Sequence, residues 1–181
     1  MIYLTSDLHF CHDKDFIYGA RGFDSADDMN RAIIENWNSI INDHDEVYVL
    51  GDLMLKDNET GLQCWNELKG IKHVILGNHD SNARIELYKD CPNIVILGYA
   101  APLRYKGYEF LLTHYPTLSS NYDDDKDLKE KVINICGHVH TKDKFFDWDK
   151  GIIYHVELDA HDNKPVTIDQ VLSYIKAKLS L

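Results

Sequence analysis

Short apolar runs alternate with amphipathic segments along this chain of 181 residues. The apolar runs are rich in β-branched and aromatic residues and predict strands over 2–6, 46–52, 71–80, 93–97, 132–140 and 152–158. Apolar residues at helical spacing predict helices over 25–42, 59–69, 81–90 and 168–179. Strands that alternate with helices indicate an α/β fold with buried central strands. No repeat or linker divides the sequence, so we expect a single domain over residues 1–181.

Local signals define several of these elements more closely. Ser25 is suited to cap the helix over 25–42, and the acidic residues that follow it suit the positive end of the helix dipole. The segment 103–114 is predicted to form a hairpin that turns at Lys106–Gly107. The acidic run Asp123–Asp127 is interpreted as a solvated loop or the start of a helix.

Polar residues follow several of the predicted strands at the point where the strand ends. They are Asp7-Leu8-His9, Gly51-Asp52, Gly77-Asn78-His79-Asp80, His114 and Gly137-His138-Val139-His140. A turn would explain one such group, because Gly, Asn and Asp are turn formers. It does not explain a series of them, and in open α/β sheets binding sites form at the carboxyl ends of the strands. We therefore expect these side chains to share one site.

The polar strand ends supply carboxylate, amide and imidazole groups, which are metal ligands of mixed oxygen and nitrogen type. The candidate ligands are Asp7, His9, Asp52, Asn78, His114, His138 and His140. Such a set suits Zn²⁺, Mn²⁺, Fe or related ions, and its lack of cysteine argues against a structural zinc site. Seven ligands are too many for one tetrahedral ion and suit two ions that share a carboxylate. Asp7 and His9, like His138 and His140, would point the same way in an extended backbone and so converge.

Charge and composition narrow the class of function. The chain has 30 acidic against 19 basic residues, and its formal charge of −11 disfavours nonspecific binding to nucleic acid or anionic lipid. No segment approaches the roughly 20 apolar residues that span a bilayer, so we expect a cytoplasmic protein without membrane contact. The four cysteines are scattered with no CxxC pair, which argues against a zinc knuckle. Their even number permits disulfides, but each lies in or beside an apolar segment, which favours small buried thiols.

The order and spelling of the polar blocks resemble those of a known family. The blocks DLH, GD, GNHD, a histidine before Tyr-Pro, and GHVH follow one another from Asp7 to His140. In these blocks the chain is similar to the calcineurin-like metallophosphoesterases, and in particular to the small bacterial and phage-type members without a cap. The resemblance implies a four-layer α/β/β/α sandwich, in which two mixed sheets are flanked by helices.

The resemblance also implies a role for the residues of each block. Asp7, His9 and His140 would bind the first metal ion, Asn78, His114 and His138 the second, and Asp52 would bridge both. His79 would protonate the leaving oxygen, and Asp80 would orient His79 and raise its basicity.

The family's chemistry implies a hydrolase with two divalent metal ions, with Mn²⁺ favoured over Fe, Zn²⁺, Ni²⁺ or Co²⁺. A hydroxide held between the ions would attack a phosphodiester or a phosphomonoester. No insertion builds a specialised cap, so we expect a small phosphate-ester or nucleotide-like substrate, and the oligomeric state stays open. Two alternatives remain. One is a nuclease, since metals and a local basic patch can outweigh the net charge. The other is a non-catalytic binding module on the same fold.

Two further residues close to the first block are candidates for contact with a substrate. His12 follows the first ligand pair in HFCH, where it would reach either a substrate phosphate or the region behind a metal ligand. Arg21, in GARGF, is the basic residue best suited to meet a substrate phosphate, and a plain surface arginine is the alternative.

Overall fold

The structure, a computed structural model, describes residues 1–118 and 126–180. Its strands are β1 (Ile2–Thr5), β2 (Glu46–Leu50), β3 (Ile71–Ile75), β4 (Ile94–Gly98), β5 (Ala100–Tyr105), β6 (Tyr108–Thr113), β7 (Val132–Cys136), β8 (Ile153–His155) and β9 (Val166–Thr167). Its helices are α1 (Asp15–Tyr18), α2 (Ala26–Ile40), α3 (Asn58–Asn66), α4 (Asn82–Lys89) and α5 (Ile168–Leu179). Residues 123–125 of the predicted acidic loop lie outside the described residues. No helix in the described parts of the chain is long and apolar enough to cross a membrane.

Two mixed sheets flanked by helices form the framework, which confirms the predicted fold class. The first sheet has the order β4-β3-β2-β1-β9, in which β9 runs antiparallel to β1 and the other pairs are parallel. The second sheet has the order β5-β6-β7-β8, in which β5 runs antiparallel to β6 and the other pairs are parallel. Parallel neighbours bring their carboxyl ends to one edge of a sheet, and the polar strand ends therefore line up there.

Helix α2 begins one residue after its predicted start and ends two residues before its predicted end. The Ser25 hydroxyl accepts a hydrogen bond from the Asp28 N–H at 3.1 Å and so caps the first turn. Met29, Ile33 and Trp37 form the apolar stripe of the helix and are fully buried against the first sheet. Burial of such side chains contributes about 1.5–3 kcal/mol each.

The predicted hairpin joins β5 to β6. Lys106 and Gly107 form its turn with φ of 48° and 80°. Two successive positive φ values are typical of a type I′ turn, whose twist suits the flanking strands. Tyr105 and Tyr108 therefore pair directly across the turn.

The first sheet separates two apolar cores, and alternate residues of a strand enter different cores. In β2, Val47 and Val49 pack with the apolar faces of α2, α3 and α4, whereas Leu50 packs on the opposite side. There it meets Phe110 and Ile135 of the second sheet and the apolar face of α5. Because successive side chains of a strand point to opposite faces, the first sheet packs against both cores.

Two short elements are absent from the sequence prediction. Helix α1 spans 4 residues and β9 spans 2 residues. Neither is long enough to show a hydrophobic period. The strand β9 nevertheless extends the first sheet, because Val166 pairs with Leu4 of β1.

Candidate metal centre

The loops that follow the parallel strands are joined by hydrogen bonds at one edge of the molecule. The Asp7 N–H donates to the Gly51 carbonyl at 3.0 Å, and the Gly137 N–H donates to the His114 carbonyl at 3.0 Å. A third bond crosses between the sheets, since the His138 N–H donates to Asp7 Oδ2 at 2.8 Å. The polar strand ends of both sheets therefore meet in one place.

Asp7, His9 and His140 form a first group of possible ligand atoms. Asp7 Oδ1 lies 3.6 Å from His9 Nε2 and 3.7 Å from His140 Nε2. The ligand atoms of this group all lie within 4.8 Å of one another. Two ligands with bonds of about 2.1 Å at a tetrahedral ion stand roughly 3.4 Å apart. The spacing of the group therefore fits a single metal ion.

Asp52, His114 and His138 form a second group, whose ligand atoms also lie within 4.8 Å of one another. His114 Nδ1 is 2.7 Å from the Leu50 carbonyl and donates its proton there, so Nε2 is the nitrogen left for a metal ion. That Nε2 lies 2.9 Å from Asn78 Oδ1. This spacing suits two ligands of one cation.

One carboxylate oxygen stands between the two groups. Asp52 Oδ2 lies 3.7 Å from His9 Nε2 and 3.5 Å from His114 Nε2. The other oxygen, Oδ1, accepts the His79 N–H at 2.9 Å, which fixes the orientation of the carboxylate. This arrangement fits a carboxylate that is shared by two ions.

The hydrogen bonding of the first group provides a separate test of whether metal ions fit. Asp7 Oδ1 and His9 Nε2 are buried, and neither has a hydrogen-bond partner among the described residues. An unpaired buried polar atom costs about 1–3 kcal/mol. A divalent cation would satisfy both atoms, so the residues present fit such an ion.

The backbone at the ligand residues is not extended. The angle φ is positive at Asp7 (57°), His9 (52°), Asp52 (56°), His138 (74°) and His140 (54°). The expectation that the ligand pairs converge through an extended backbone is therefore wrong, because β1 and β7 end before these residues. Left-handed non-glycine residues cost of order 1 kcal/mol each and are found preferentially at functional sites.

Glycines allow the ligand loops to approach one another this closely. A Cβ atom at Gly77 would stand 2.2 Å from Asp52 Oδ1, and one at Gly137 would stand 2.3 Å from Asp7 Oδ2. Any side chain at either position would displace a carboxylate of the cluster. Sterics therefore explain why GNHD and GHVH each begin with a glycine.

Burial controls the protonation of the cluster. It lowers the pKa of His9 to about 4, so the ring is neutral at pH 7, as a metal ligand must be. Burial also raises the pKa of Asp52 to about 6, and the nearby Asp7 carboxylate adds to this rise. For Asp7 burial acts in the same upward direction, but His9 and His140 together hold the pKa of this carboxyl below its usual range. Two cations would offset the concentrated carboxylate charge.

His79 stands at the open side of the cluster. Its side chain is 41% exposed, and its Nε2 lies 3.9 Å from Asp52 Oδ2. Its backbone is held on both sides, because the N–H donates to Asp52 Oδ1 and the carbonyl accepts from Arg84 Nη1 at 2.5 Å. The ring therefore faces both solvent and the ligand cluster.

The structure corrects the predicted role of Asp80. Its Oδ2 accepts the N–H groups of Asp52 at 2.9 Å and Gly77 at 2.8 Å, and its Oδ1 accepts the Tyr88 hydroxyl at 2.8 Å. The carboxylate is thus engaged in the interior of the protein and does not orient the His79 ring. It instead joins the loops that follow β2 and β3.

Tyr88→Phe tests this anchoring role of Asp80. Burial raises the pKa of Tyr88, so its hydroxyl stays protonated and donates to Asp80. Loss of the donor should lower the free energy of unfolding by about 1–2 kcal/mol, measured by chemical denaturation. Tyr99→Phe, at a residue that is 69% exposed, should have no effect and is the control. Equal stability of the two variants would contradict the role.

His12 lies behind His9. Its Nδ1 is 3.1 Å from His9 Nδ1, and the residue is 7% exposed. Burial lowers the pKa of His12 to about 4, so the neutral ring can accept the His9 Nδ1–H. In that tautomer, Nε2 of His9 is free for a metal ion. Of the two roles that the sequence left open for His12, the contact favours support of a metal ligand.

The structure also corrects the assignment of Arg21 to a substrate phosphate. The Arg21 side chain is 0% exposed, and its Nε and Nη2 bind the Asp159 carboxylate at 3.2 Å and 2.8 Å. A buried guanidinium with its donors engaged does not meet a substrate. Asp159 lies 138 residues from Arg21, and its only signal in the sequence is an acidic residue soon after a strand, so it was not among the predicted site residues.

Comparison with known proteins agrees with this geometry. The family model of the calcineurin-like phosphoesterase superfamily domain matches residues 1–154, a range that holds all seven candidate ligands. The uncharacterized protein MJ1445 of Methanocaldococcus jannaschii is 32% identical over 180 residues, which cover 97% of this chain and 91% of that protein.

Solved structures show the same fold. The protein of unknown function AQ665 from Aquifex aeolicus has a TM-score of 0.73 at 25% identity, and the match covers 96% of this chain and 98% of that chain. A novel archaeal phosphodiesterase has a TM-score of 0.51 at 17% identity, with 88% and 86% covered, and this is a likeness of fold alone. The chain belongs to the calcineurin-like phosphoesterase superfamily.

Proposed function

We propose that the protein is a phosphohydrolase that depends on two divalent metal ions and acts on a small phosphodiester or phosphomonoester. The observation that carries the proposal is the position of Asp52 Oδ2, within 3.7 Å of His9 Nε2 and 3.5 Å of His114 Nε2. A carboxylate between two groups of ligands is what a pair of ions needs. We propose a single domain, spanning residues 1–181, as the unit that carries this activity.

Each ligand of the proposed centre comes from one of the two groups. Asp7, His9 and His140 would hold one ion, Asn78, His114 and His138 would hold the other, and Asp52 would be common to both. Two divalent ions, Mn²⁺ by preference, would supply neutralisation of the phosphate charge and a lower pKa for a bound water. The neutral ring of His9 and the fixed tautomer of His114 support this assignment, because metal ions bind unprotonated imidazole nitrogen.

His79 is the proposed general acid. Its half-exposed ring at the mouth of the cluster is placed to give a proton to the leaving oxygen of a bound ester. The bonds of its N–H to Asp52 and of its carbonyl to Arg84 hold the backbone while the ring stays accessible. The protonation is thus assigned to a residue that is no ligand.

The test compares wild-type protein with a variant that lacks both Asp52 and His79 functions, Asp52→Asn/His79→Gln. Each is freed of metal with EDTA, reloaded with Mn²⁺, and assayed with p-nitrophenyl phosphate, its bis ester and nucleoside phosphates. We expect wild-type hydrolysis of at least one ester class, loss of it in EDTA, and no hydrolysis by the variant. Equal rates of wild type and variant on every substrate would refute the enzyme and favour the non-catalytic module.

The same assay addresses the nuclease alternative. The formal charge of −11 opposes approach to a polyanion, so we expect small esters to be hydrolysed faster than single- or double-stranded oligonucleotides. Faster hydrolysis of an oligonucleotide would reverse the proposed substrate class while leaving the metal chemistry in place.

A further inference from the structure

A buried ion pair lies directly behind the first group of ligands. The Asp159 and Arg21 side chains are 4% and 0% exposed. Asp159 Oδ2 accepts from Arg21 Nη2 at 2.8 Å and from His140 Nδ1 at 3.1 Å, and Asp159 Oδ1 accepts from Arg21 Nε at 3.2 Å. One carboxylate therefore links a buried arginine to a candidate metal ligand.

The guanidinium of Arg21 continues the network to the other ligands of the same group. Its Nη2 donates to the Asp7 carbonyl at 2.7 Å, and its Nη1 donates to the Leu8 carbonyl at 3.2 Å. These carbonyls belong to the loop on which Asp7 and His9 stand. Arg21 thus contacts the backbone of the loop after β1, which carries Asp7 and His9. Asp159 contacts the side chain of His140, which lies after β7.

The bond to Asp159 also determines which nitrogen of His140 is free. A carboxylate accepts, so Nδ1 of His140 donates, and Nε2, which lies 3.7 Å from Asp7 Oδ1, is the nitrogen left for a metal ion. Both oxygens of Asp159 accept from the buried Arg21 guanidinium, and this ion pair provides a charged carboxylate behind His140. A charged acceptor behind a histidine ligand raises the basicity of that ligand.

The second group is supported differently. His114 donates its Nδ1–H to the backbone carbonyl of Leu50, a neutral acceptor. Asp80, the carboxylate next to that group, binds backbone N–H groups and the Tyr88 hydroxyl. The charged support of a histidine by Asp159 therefore belongs to the Asp7, His9 and His140 group.

We infer that Asp159 and Arg21 are a positioning pair that selectively sustains metal binding at the Asp7, His9 and His140 site. The inference rests on the proposed two-metal function. It assigns Arg21, which the sequence placed near the substrate, to the assembly of one metal site.

The test measures metal affinity one site at a time. His138→Ala leaves the first site as the intact one, and His140→Ala leaves the second. Asp159→Asn is added to each background, and Mn²⁺ binding is followed by calorimetry. We expect about a 10–100-fold loss of affinity in the His138→Ala background and no change in the His140→Ala background. Equal losses in both backgrounds, or no loss in either, would overturn the inference.

Two further variants keep the test decisive where Asp159→Asn does not fold. Asp159→Glu keeps the charge and shifts the carboxylate by one methylene, and Arg21→Lys keeps the charge and loses the fork of donors. Both should weaken the first site selectively. Asp45→Asn removes a buried carboxylate that binds the N-terminus, and it should leave both affinities unchanged.

The outcomes separate this inference from the proposed function. Wild-type protein that binds two ions and hydrolyses esters, together with an Asp159→Asn variant of unchanged affinity at both sites, would refute the positioning pair alone. Wild-type protein that binds no metal would refute the proposed function, and the positioning pair would fall with it.

Discussion

Asp52→Asn should strip metal ions from both sites and abolish hydrolysis. The amide keeps an oxygen that accepts the His79 N–H, but it has no charged second oxygen to stand between His9 and His114. Loss of several kcal/mol of charge stabilisation corresponds to a fall in rate of at least about 10³-fold. Metal analysis after gel filtration and a phosphate-release assay measure the two effects.

The same substitution should stabilise the metal-free protein at neutral pH. Burial raises the pKa of Asp52 to about 6 in the folded protein, whereas an aspartate in an unfolded chain titrates at about 3.9. The folded state therefore binds the proton more tightly, and stability is lost as the pH rises from about 4 to about 6. Two pKa units correspond to on the order of 3 kcal/mol. In EDTA at pH 7, Asp52→Asn should resist denaturant better than the wild type.

The opposite signs of these two effects make the experiment informative. A misfolded variant would lose metal and stability together, whereas loss of a shared ligand should lower metal content and raise the stability of the metal-free form. Asp45→Asn, at the opposite edge of the first sheet, is the control and should keep both ions. Two ions retained by Asp52→Asn would refute the sharing of this carboxylate, and one ion retained would assign it to a single site.

The framework of the molecule follows from local patterns that the sequence displays. Ser25 and the stripe Met29, Ile33 and Trp37 define helix α2, and each strand long enough to alternate was predicted. Because parallel strands end at the same edge, the position of the polar residues after β1, β2 and β3 was enough to predict that they meet. The location of the site can therefore be predicted from the sequence alone.

The backbone conformations and hydrogen bonds within the site cannot be predicted from the sequence in the same way. Residue type at a strand end does not reveal that Asp7 and His138 adopt left-handed backbone, because that conformation is imposed by hydrogen bonds between loops of different sheets. Arg21 and Asp159 illustrate the same limit, since their contact spans 138 residues and neither lies in a distinctive local motif. Long-range contacts determine which polar residues face the candidate metal centre, which hold a ligand in place, and which are buried away from it.

Asp80 shows how sequence adjacency misleads about contact. Asp80 follows His79 in the chain, yet Oδ2 of Asp80 accepts two backbone N–H groups and Oδ1 accepts the Tyr88 hydroxyl. A turn separates the directions of the two neighbouring side chains, so one faces the interior and the other faces solvent. As the proposed general acid, His79 therefore has no carboxylate partner from its own block.

His79→Gln should leave both metal ions bound and slow hydrolysis according to the leaving group. Glutamine preserves the backbone bonds to Asp52 and Arg84 but transfers no proton. Esters with poor leaving groups, such as nucleosides, need protonation and should lose about 10²–10⁴ in rate, the usual contribution of general acid catalysis. Nitrophenyl esters leave as stable anions and should lose far less. The measurement is a series of esters of graded leaving-group pKa.

A control histidine separates this effect from a general disturbance of the fold. His73 pairs with Glu46 at 3.0 Å in the first sheet and does not contact the cluster, so His73→Gln should leave every rate in the series unchanged. Equal losses for His79→Gln on good and poor leaving groups would mean that His79 does not act as the acid. Loss of a metal ion would instead make it a ligand. A steeper dependence on leaving-group pKa, with two ions retained, is the result expected if His79 donates the proton.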